Sequence, residues 1–207
     1  MEIIWYGQSA FKLTGKNITI FMDPYSEPEK YKWKPIKTAA DVVIITHDHW
    51  DHNNVAAISG DPVVFDMPGD YEVKGITFKG IESRHGADVD LPNTMFVIKI
   101  DDMTVAHLGD LGESLSSTQL EKLNGVDVLL VPVGGTYTLD DEEAVGVVNQ
   151  IEPKIIIPMH YGPNHPELLP VDNFVKEIGM EPEKTAKLKI VKKDLPEEPK
   201  LVILEIQ

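Results

Sequence analysis

Apolar residues along this chain fall mostly into short runs rather than helical stripes. Val42-Val43-Ile44-Ile45 is too short for a helix and rich in β-branched residues, so it reads as a buried strand. Glu2–Tyr6 and Ala10–Leu13, broken at Gly7-Gln8-Ser9, and then Asn17–Met22 after a turn at Gly15-Lys16, read as a meander opening a sheet. Pro62–Phe65 is a further strand, and Asp70–Ser83 alternates about a turn at Gly75 as a hairpin does. Met95–Ile100 and Met103–Leu108 form a second hairpin across Asp101-Asp102. Val126–Val133 and Lys154–Pro158 are continuous buried strands, and Leu188–Val191 and Leu201–Ile206 close the chain on either side of the turn Leu195–Pro199.

The helical period is rarer. Ser116–Leu123 has Ser116 as cap, Gln119 three residues on and Gly125 just past its end. Ala144, Val147, Val148 and Ile151 form one apolar stripe of a helix ending at Ile151, with Thr138-x-x-Asp141 as its capping box. Val171–Ile178 stops at Gly179, and Asn54–Ser59 reads as a short helix ended by Gly60. Tyr25–Ala40 has no period and reads as a loop carrying Tyr31 and Trp33, either lining a pocket or simply anchored on the surface. Pattern alone supports mixed α and β in one domain, residues 1–207.

Composition narrows the function. With 207 residues and 42% hydrophobic content the chain can bury one sizeable core. No run of about 18 apolar residues exists, so no membrane span is expected. The opening Met1–Trp5 lacks the basic and apolar regions of a secretion signal. There are no cysteines, which excludes disulfides and thiolate ligands and fits a cytoplasmic protein. The formal charge, 19 − 34 = −15, counts against nucleic acid as partner, because such binding draws its affinity from Lys and Arg on phosphates. A small anion stays compatible, since bound cations reverse the local field. An oligomer is compatible with the sequence.

The chemistry concentrates in Thr46-His47-Asp48-His49-Trp50-Asp51-His52, directly after the buried run at Val42. Imidazole with carboxylate suits zinc, manganese or iron rather than calcium or magnesium. His47 and His49, two apart at a strand end, share a face, whereas Asp51 and His52 come round after the turn from another angle. One loop can thereby serve two cations.

The run His47-x-His49-x-Asp51-His52 after a buried strand resembles the signature of the metallo-β-lactamase superfamily. The resemblance implies a four-layer αββα sandwich of two mixed sheets. It implies that His85, after Gly80–Arg84, joins His47 and His49 on one cation. It implies that His160, after Lys154–Pro158, joins Asp51 and His52 on the other. Asp110, in His107-Leu108-Gly109-Asp110, is the implied carboxylate bridge, one oxygen on each cation. Asp51 and Asp110 are then the catalytic carboxylates, around two divalent ions, most readily zinc, with manganese or iron as competitors.

The opening, with Asp23-Pro24 and the glycine-rich Gly134–Tyr137, is similar to the L-ascorbate-6-phosphate lactonase-like branch, although that branch often has a histidine where this chain has Gln8. Asp23 either accepts a hydrogen bond from a ligand histidine or merely starts a turn before Pro24. His107 is read as structural. Tyr161 and His165 are the candidates for protonating a leaving group, His165 being expected at the surface beside its prolines.

The resemblance implies a hydrolase in which a metal-bridged hydroxide attacks a small ester, lactone or phosphoester, a water's pKa falling from 15.7 to roughly 7 on metal binding. Three alternatives stand beside it. A phosphodiesterase similar to the tRNA 3′-processing enzymes would want a basic arm. A glyoxalase II-like thioesterase would want a helical C-terminal domain. The third is a non-catalytic metal-binding module on the same fold.

Overall fold

The computed structural model describes residues 1–26, 31, 33–86, 91–162 and 165–207. Two mixed sheets dominate it. The first contains β1 (Glu2–Gly7), β2 (Ala10–Thr14), β3 (Thr19–Met22), β5 (Val42–Ile44), β7 (Val63–Phe65) and β15 (Leu188–Lys189), in the order β15-β1-β2-β3-β5-β7. The second runs β14 (Glu183–Thr185), β16 (Lys200–Leu204), β13 (Ile155–Met159), β12 (Val128–Pro132), β11 (Met103–His107), β10 (Pro92–Ile100), β9 (Ile76–Arg84) and β8 (Gly69–Val73). A two-stranded pair joins β4 (Thr38–Ala39) to β6 (Ile58–Ser59).

Side-chain alternation assigns the layers. On β3 and β5, Ile20, Met22, Val42 and Ile44 face the core shared with the second sheet, whereas Phe21, Val43 and Ile45 face the opposite way. Both faces are covered, so the sequence reads as unbroken apolar runs there. The same holds for β12 and β13, which are parallel and buried throughout. On β9, nearer the sheet edge, every second or third residue is exposed.

α1 (Ser117–Leu123), α2 (Asp141–Ile151) and α3 (Val171–Ile178) pack as a layer outside the second sheet, α2 presenting Ala144, Val147, Val148 and Ile151 as its stripe requires. Outside the first sheet the covering layer is different. Among the described residues it consists of Tyr25, Tyr31, Trp33 and Ile36 from the loop, with a single 3₁₀ turn at Val55–Ala57.

Two local expectations are corrected. Asn54–Ser59 is not an α-helix: Asn54 makes no side-chain cap, and Ile58-Ser59 is drawn into a parallel pairing with Thr38-Ala39. One turn of helix fixes several dihedrals for little hydrogen-bond return, and a ladder wins. The cap of α2 is Asp140, not Thr138. Asp140 accepts from the Glu143 amide while Glu143 reaches back to the Asp140 amide. Leu139 is buried, and its N–H bonds to the Leu111 carbonyl, which holds the chain extended until residue 140. No helix of the described residues is long and apolar enough to cross a membrane.

Candidate metal centre

Each candidate ligand lies at the carboxyl end of a strand. β5 runs into Thr46–His52, β9 into His85, β11 into Asp110 and β13 into His160. The first belongs to one sheet and the other three to its partner, and hydrogen bonds tie the two at this edge. The Thr94 N–H bonds to the Thr46 carbonyl at 2.8 Å, and the His160 N–H to the Gln8 carbonyl at 3.1 Å.

The side chains converge. His47, His49 and His85 offer ligand atoms within 4.8 Å of one another, and so do His47, His52 and Asp110. Asp110 Oδ2 lies 3.0 Å from His160 Nε2, 3.3 Å from His52 Nε2, 3.4 Å from His85 Nε2 and 3.8 Å from His47 Nε2. Asp51 Oδ2 lies 3.7 Å from His52 Nε2 and accepts a hydrogen bond from the Gln8 amide at 3.1 Å. Five of the residues expected as ligands, His49, Asp51, His85, Asp110 and His160, line one cavity, and His47 and His52 lie behind it against Asp110. Asp110 Oδ1 accepts from the Ser9 hydroxyl at 3.2 Å, and the contacts to the four histidines are made by Oδ2.

Asp23, fully buried, sets the proton positions. Its Oδ1 accepts the Thr46 N–H at 2.8 Å, and its Oδ2 accepts the Thr46 hydroxyl at 2.7 Å and His52 Nδ1–H at 3.0 Å. With its proton committed to Asp23, the Thr46 oxygen can only accept from His47 Nδ1, 3.0 Å away. One carboxylate thereby fixes two tautomers and leaves both Nε2 lone pairs facing the other ligands. Turn initiation alone does not account for that network.

The electrostatics agree. Burial, reinforced by the neighbouring His52, holds His47 far below the ordinary imidazole range, so it is neutral and ready to ligate. Burial likewise lowers His49. Burial opposes a charge on His52, but Asp110, Asp51 and Asp23 outweigh it and raise its pKa well above normal. Burial also opposes ionisation of Asp110, yet His160 and His52 hold it well below the carboxylate range.

Three buried carboxylates, Asp23, Asp51 and Asp110, gathered in one place call for compensating positive charge. His52 Nε2 is buried and has no hydrogen-bond partner. A nitrogen lone pair in that position fits a metal ligand, and the donor set of imidazole and carboxylate fits zinc, manganese or iron.

Supports that sequence reading missed come from distant segments. Asn93 on β10 accepts the Asp110 N–H at 3.1 Å while donating to the Leu108 carbonyl at 2.9 Å and to the Ser83 hydroxyl at 2.8 Å. Ser9 holds Asp110 from the β1–β2 turn. Neither residue carries a local motif. Gly109 has φ +57°, and a Cβ there would lie 2.4 Å from Asn93 Oδ1 and 2.7 Å from the Thr46 Cβ, so only glycine lets the two sheets approach here.

His107 is structural, as expected. Its Nε2 donates to the Ser9 carbonyl at 2.9 Å, its Nδ1 accepts the Gly109 N–H at 3.0 Å, and burial lowers its pKa. The proton-donor candidates separate. Tyr161 lies against Trp5 in a different, largely apolar cavity of about 790 Å³ beside α3, where burial and then Asp172 push its phenol up; it is not on the wall of the ligand cavity. His165, expected at the surface, is buried, with its ring stacked on Tyr31 at 4.3 Å. It lines the ligand cavity, about 360 Å³, together with Gln8, Trp50 and Tyr137. Pro163 and Asn164 lie outside the described residues.

Comparison with known proteins shows the family. The family model of the beta-lactamase superfamily domain matches residues 2–160. A UPF0173 protein of Pyrococcus abyssi is 31% identical over 189 residues, 78% of this chain and 84% of that protein. A UPF0173 metal-dependent hydrolase of Staphylothermus marinus is 32% identical over 227 residues, 92% of this chain and 95% of that protein. A crystal structure from Thermotoga maritima, assigned to the zinc-dependent hydrolases of the metallo-β-lactamase superfamily, superposes with TM-score 0.84 at 38% identity, covering 100% of this chain and 99% of that one. The chain belongs to the UPF0173 family of metal-dependent hydrolases, within the metallo-β-lactamase superfamily.

Proposed function

We propose that the chain hydrolyses a small ester, lactone or phosphoester at a pair of divalent cations, zinc in the first instance. The observation that carries this reading is the clustering of His47, His49 and His85 in one group and of His47, His52 and Asp110 in another, with His160 Nε2 3.0 Å from Asp110 Oδ2 and a buried His52 Nε2 that makes no hydrogen bond. His47, His49 and His85 would hold one ion, and Asp51, His52 and His160 the other, with Asp110 contributing to both. Bound there, the ions supply Lewis acidity and bring a water's ionisation toward neutral pH.

The chain's own residues do the rest. Asp23 and Thr46 hold the His47 and His52 tautomers. Ser9 and Asn93 keep Asp110 from turning, and Gln8 holds one oxygen of Asp51. Of the two proton-donor candidates, Tyr161 and His165, it is His165 that lines this cavity. A cavity of about 360 Å³ suits a small molecule. Lactone opening, the activity named for the similar branch, is the first substrate type to test.

The test combines elemental analysis with turnover of lactone, phosphodiester and thioester panels by metal-replete protein. The expected result is about two ions per chain and hydrolysis in one panel. Silence in all three panels with both ions bound would remove the reading.

A further inference from the structure

We propose that Trp50 and Tyr137 make the mouth of the ligand cavity an aromatic stacking site, so that the preferred substrate carries a flat, unsaturated ring beside the bond to be cleaved. This deepens the hydrolase reading and rests on it.

Four observations lead here. Trp50 sits between two candidate ligands, His49 and Asp51, and its carbonyl is held by the Ser26 N–H at 3.0 Å. The indole lines the cavity that His49 and Asp51 also line. Next, Trp50 is 46% exposed and Tyr137 45%, the two exposed large aromatics among the described residues, and both line this one cavity. The other exposed large apolar side chains, such as Val63, Met67 and Val191, lie elsewhere and are aliphatic.

The two aromatics also come from different sides of the ligand set. Trp50 rides on the loop after β5. Tyr137 rides on the Gly134–Leu139 loop, where its carbonyl accepts the Gly86 N–H beside His85.

Finally, the ring behind Trp50 is already ordered. Tyr31 is nearly parallel to Trp50, at 8° with centroids 5.9 Å apart, and is itself stacked on Trp33 at 5.0 Å and on His165 at 4.3 Å. Tyr31 and Trp33 are buried and do the anchoring. An anchor has no need of an indole left half in water, whereas a stacking surface does. Pre-set parallel rings favour a planar guest and give little to a puckered one, because face-to-face contact is lost when the guest is not flat.

The experiment is a calorimetric titration of metal-replete protein with benzoate and with cyclohexanecarboxylate, which share charge and approximate size. The expected result is a preference for benzoate of about threefold to tenfold, the range that aromatic pairing adds beyond burial. Trp50→Phe should retain most of that preference. Trp50→Leu, which keeps an apolar side chain without a ring, should lose it, and Tyr137→Leu should reduce it. Equal affinity for the two acids in the parent protein, or a preference untouched in the Trp50→Leu Tyr137→Leu double variant, would overturn the proposal while leaving the hydrolase reading standing. A chain that takes up no metal would remove the hydrolase reading and this proposal with it, whatever its preference for benzoate.

Discussion

Asp23→Asn is the substitution that separates a positioned metal centre from a chance gathering of histidines. Asparagine has the same shape but one acceptor oxygen in place of two. If that oxygen stays on the Thr46 N–H, now held at 2.8 Å, the amide NH₂ faces the Thr46 hydroxyl and His52 Nδ1, now 2.7 and 3.0 Å from a carboxylate oxygen. Two donors cannot face each other, so His52 must move its proton to Nε2, the atom aimed at the ligand cluster. The Thr46 hydroxyl must turn to accept from the amide, and its proton then points at His47 Nδ1, 3.0 Å away, driving the His47 proton to Nε2 as well. If the amide is turned the other way, its NH₂ meets the Thr46 N–H, and a buried donor is left unpaired at a cost of about 1–3 kcal/mol.

Removing a partner behind the ligands typically costs 10–100-fold in metal affinity, and the double tautomer shift places this case near the upper end, about 2.7 kcal/mol. Zinc affinity by chelator competition is the assay, with circular dichroism to confirm the fold. Thr46→Val, which removes the relay to His47 alone, should lose about tenfold. Asp23→Asn binding zinc within twofold of the parent would refute the tautomer argument, whatever its effect on turnover.

Other outcomes follow from the same geometry. Chelation should lower the melting temperature: cations at about 100 times their Kd add about 2.7 kcal/mol, or roughly 5–11 °C for a chain of this size, and superimposable melts with and without chelator would count against a native site. Gly109→Ala should destabilise by on the order of 2–5 kcal/mol in denaturant titrations, from a positive φ and a Cβ pressed on Asn93 and Thr46, and metal uptake should fall with it. Tyr161→Phe should leave turnover almost unchanged, far from the 10²–10⁴-fold loss that removal of a proton donor brings, because its phenol faces another cavity.

Asp41 has its pKa lowered by Lys74 and by the Thr19 N–H. A depressed carboxylate contributes stability above its unfolded pKa, near 3.8, and loses it as pH falls through the lower folded value. Asp41→Asn should therefore lower stability by a small, constant amount above about pH 4, and its curve should converge with the parent's as pH falls below that, the effect being small because the pair is largely exposed.

What the sequence made legible was local. His47, His49, Asp51 and His52 lie within six positions after an apolar run, and a strand end is sufficient to place them. His85, Asp110 and His160 follow three other strands, and only resemblance to a family joined them to the first four. Of the residues that hold the ligands still, Asp23 was legible only as one of two alternatives, without its partner His52, 29 positions on. Ser9 and Asn93 were not legible: Ser9 reaches Asp110 across 101 positions, a distance at which no period or spacing carries information. His165 was misplaced for the same reason: beside prolines it reads as exposed, and its burial comes from Tyr31, in a stretch without any pattern. Thr138 lost the α2 cap to Asp140 through a long-range bond from Leu139 to Leu111.

The dependence of the site on long-range contacts also explains why ligands at strand ends make a centre that is rigid without being closed. A strand end inherits its position from the ladder behind it: Ile44 is fixed between Met22 and Phe65, and His107 opposite Phe96 and Leu130. Beyond that point the chain is free to turn, so the side chains can meet in space that no strand occupies. What remains to be fixed is the offset between the two sheets, and three hydrogen bonds do so at the ligands themselves, Thr94 to Thr46, His160 to Gln8 and Ser9 to Asp110. A slip of one residue between the sheets, about 3.3 Å, would carry Asp110 Oδ2 out of reach of His47 and His52 together. The two halves of the ligand set are therefore brought together by the same core packing that makes the sandwich, and a change that loosens that core should be read first as a loss of metal and only then as a loss of fold.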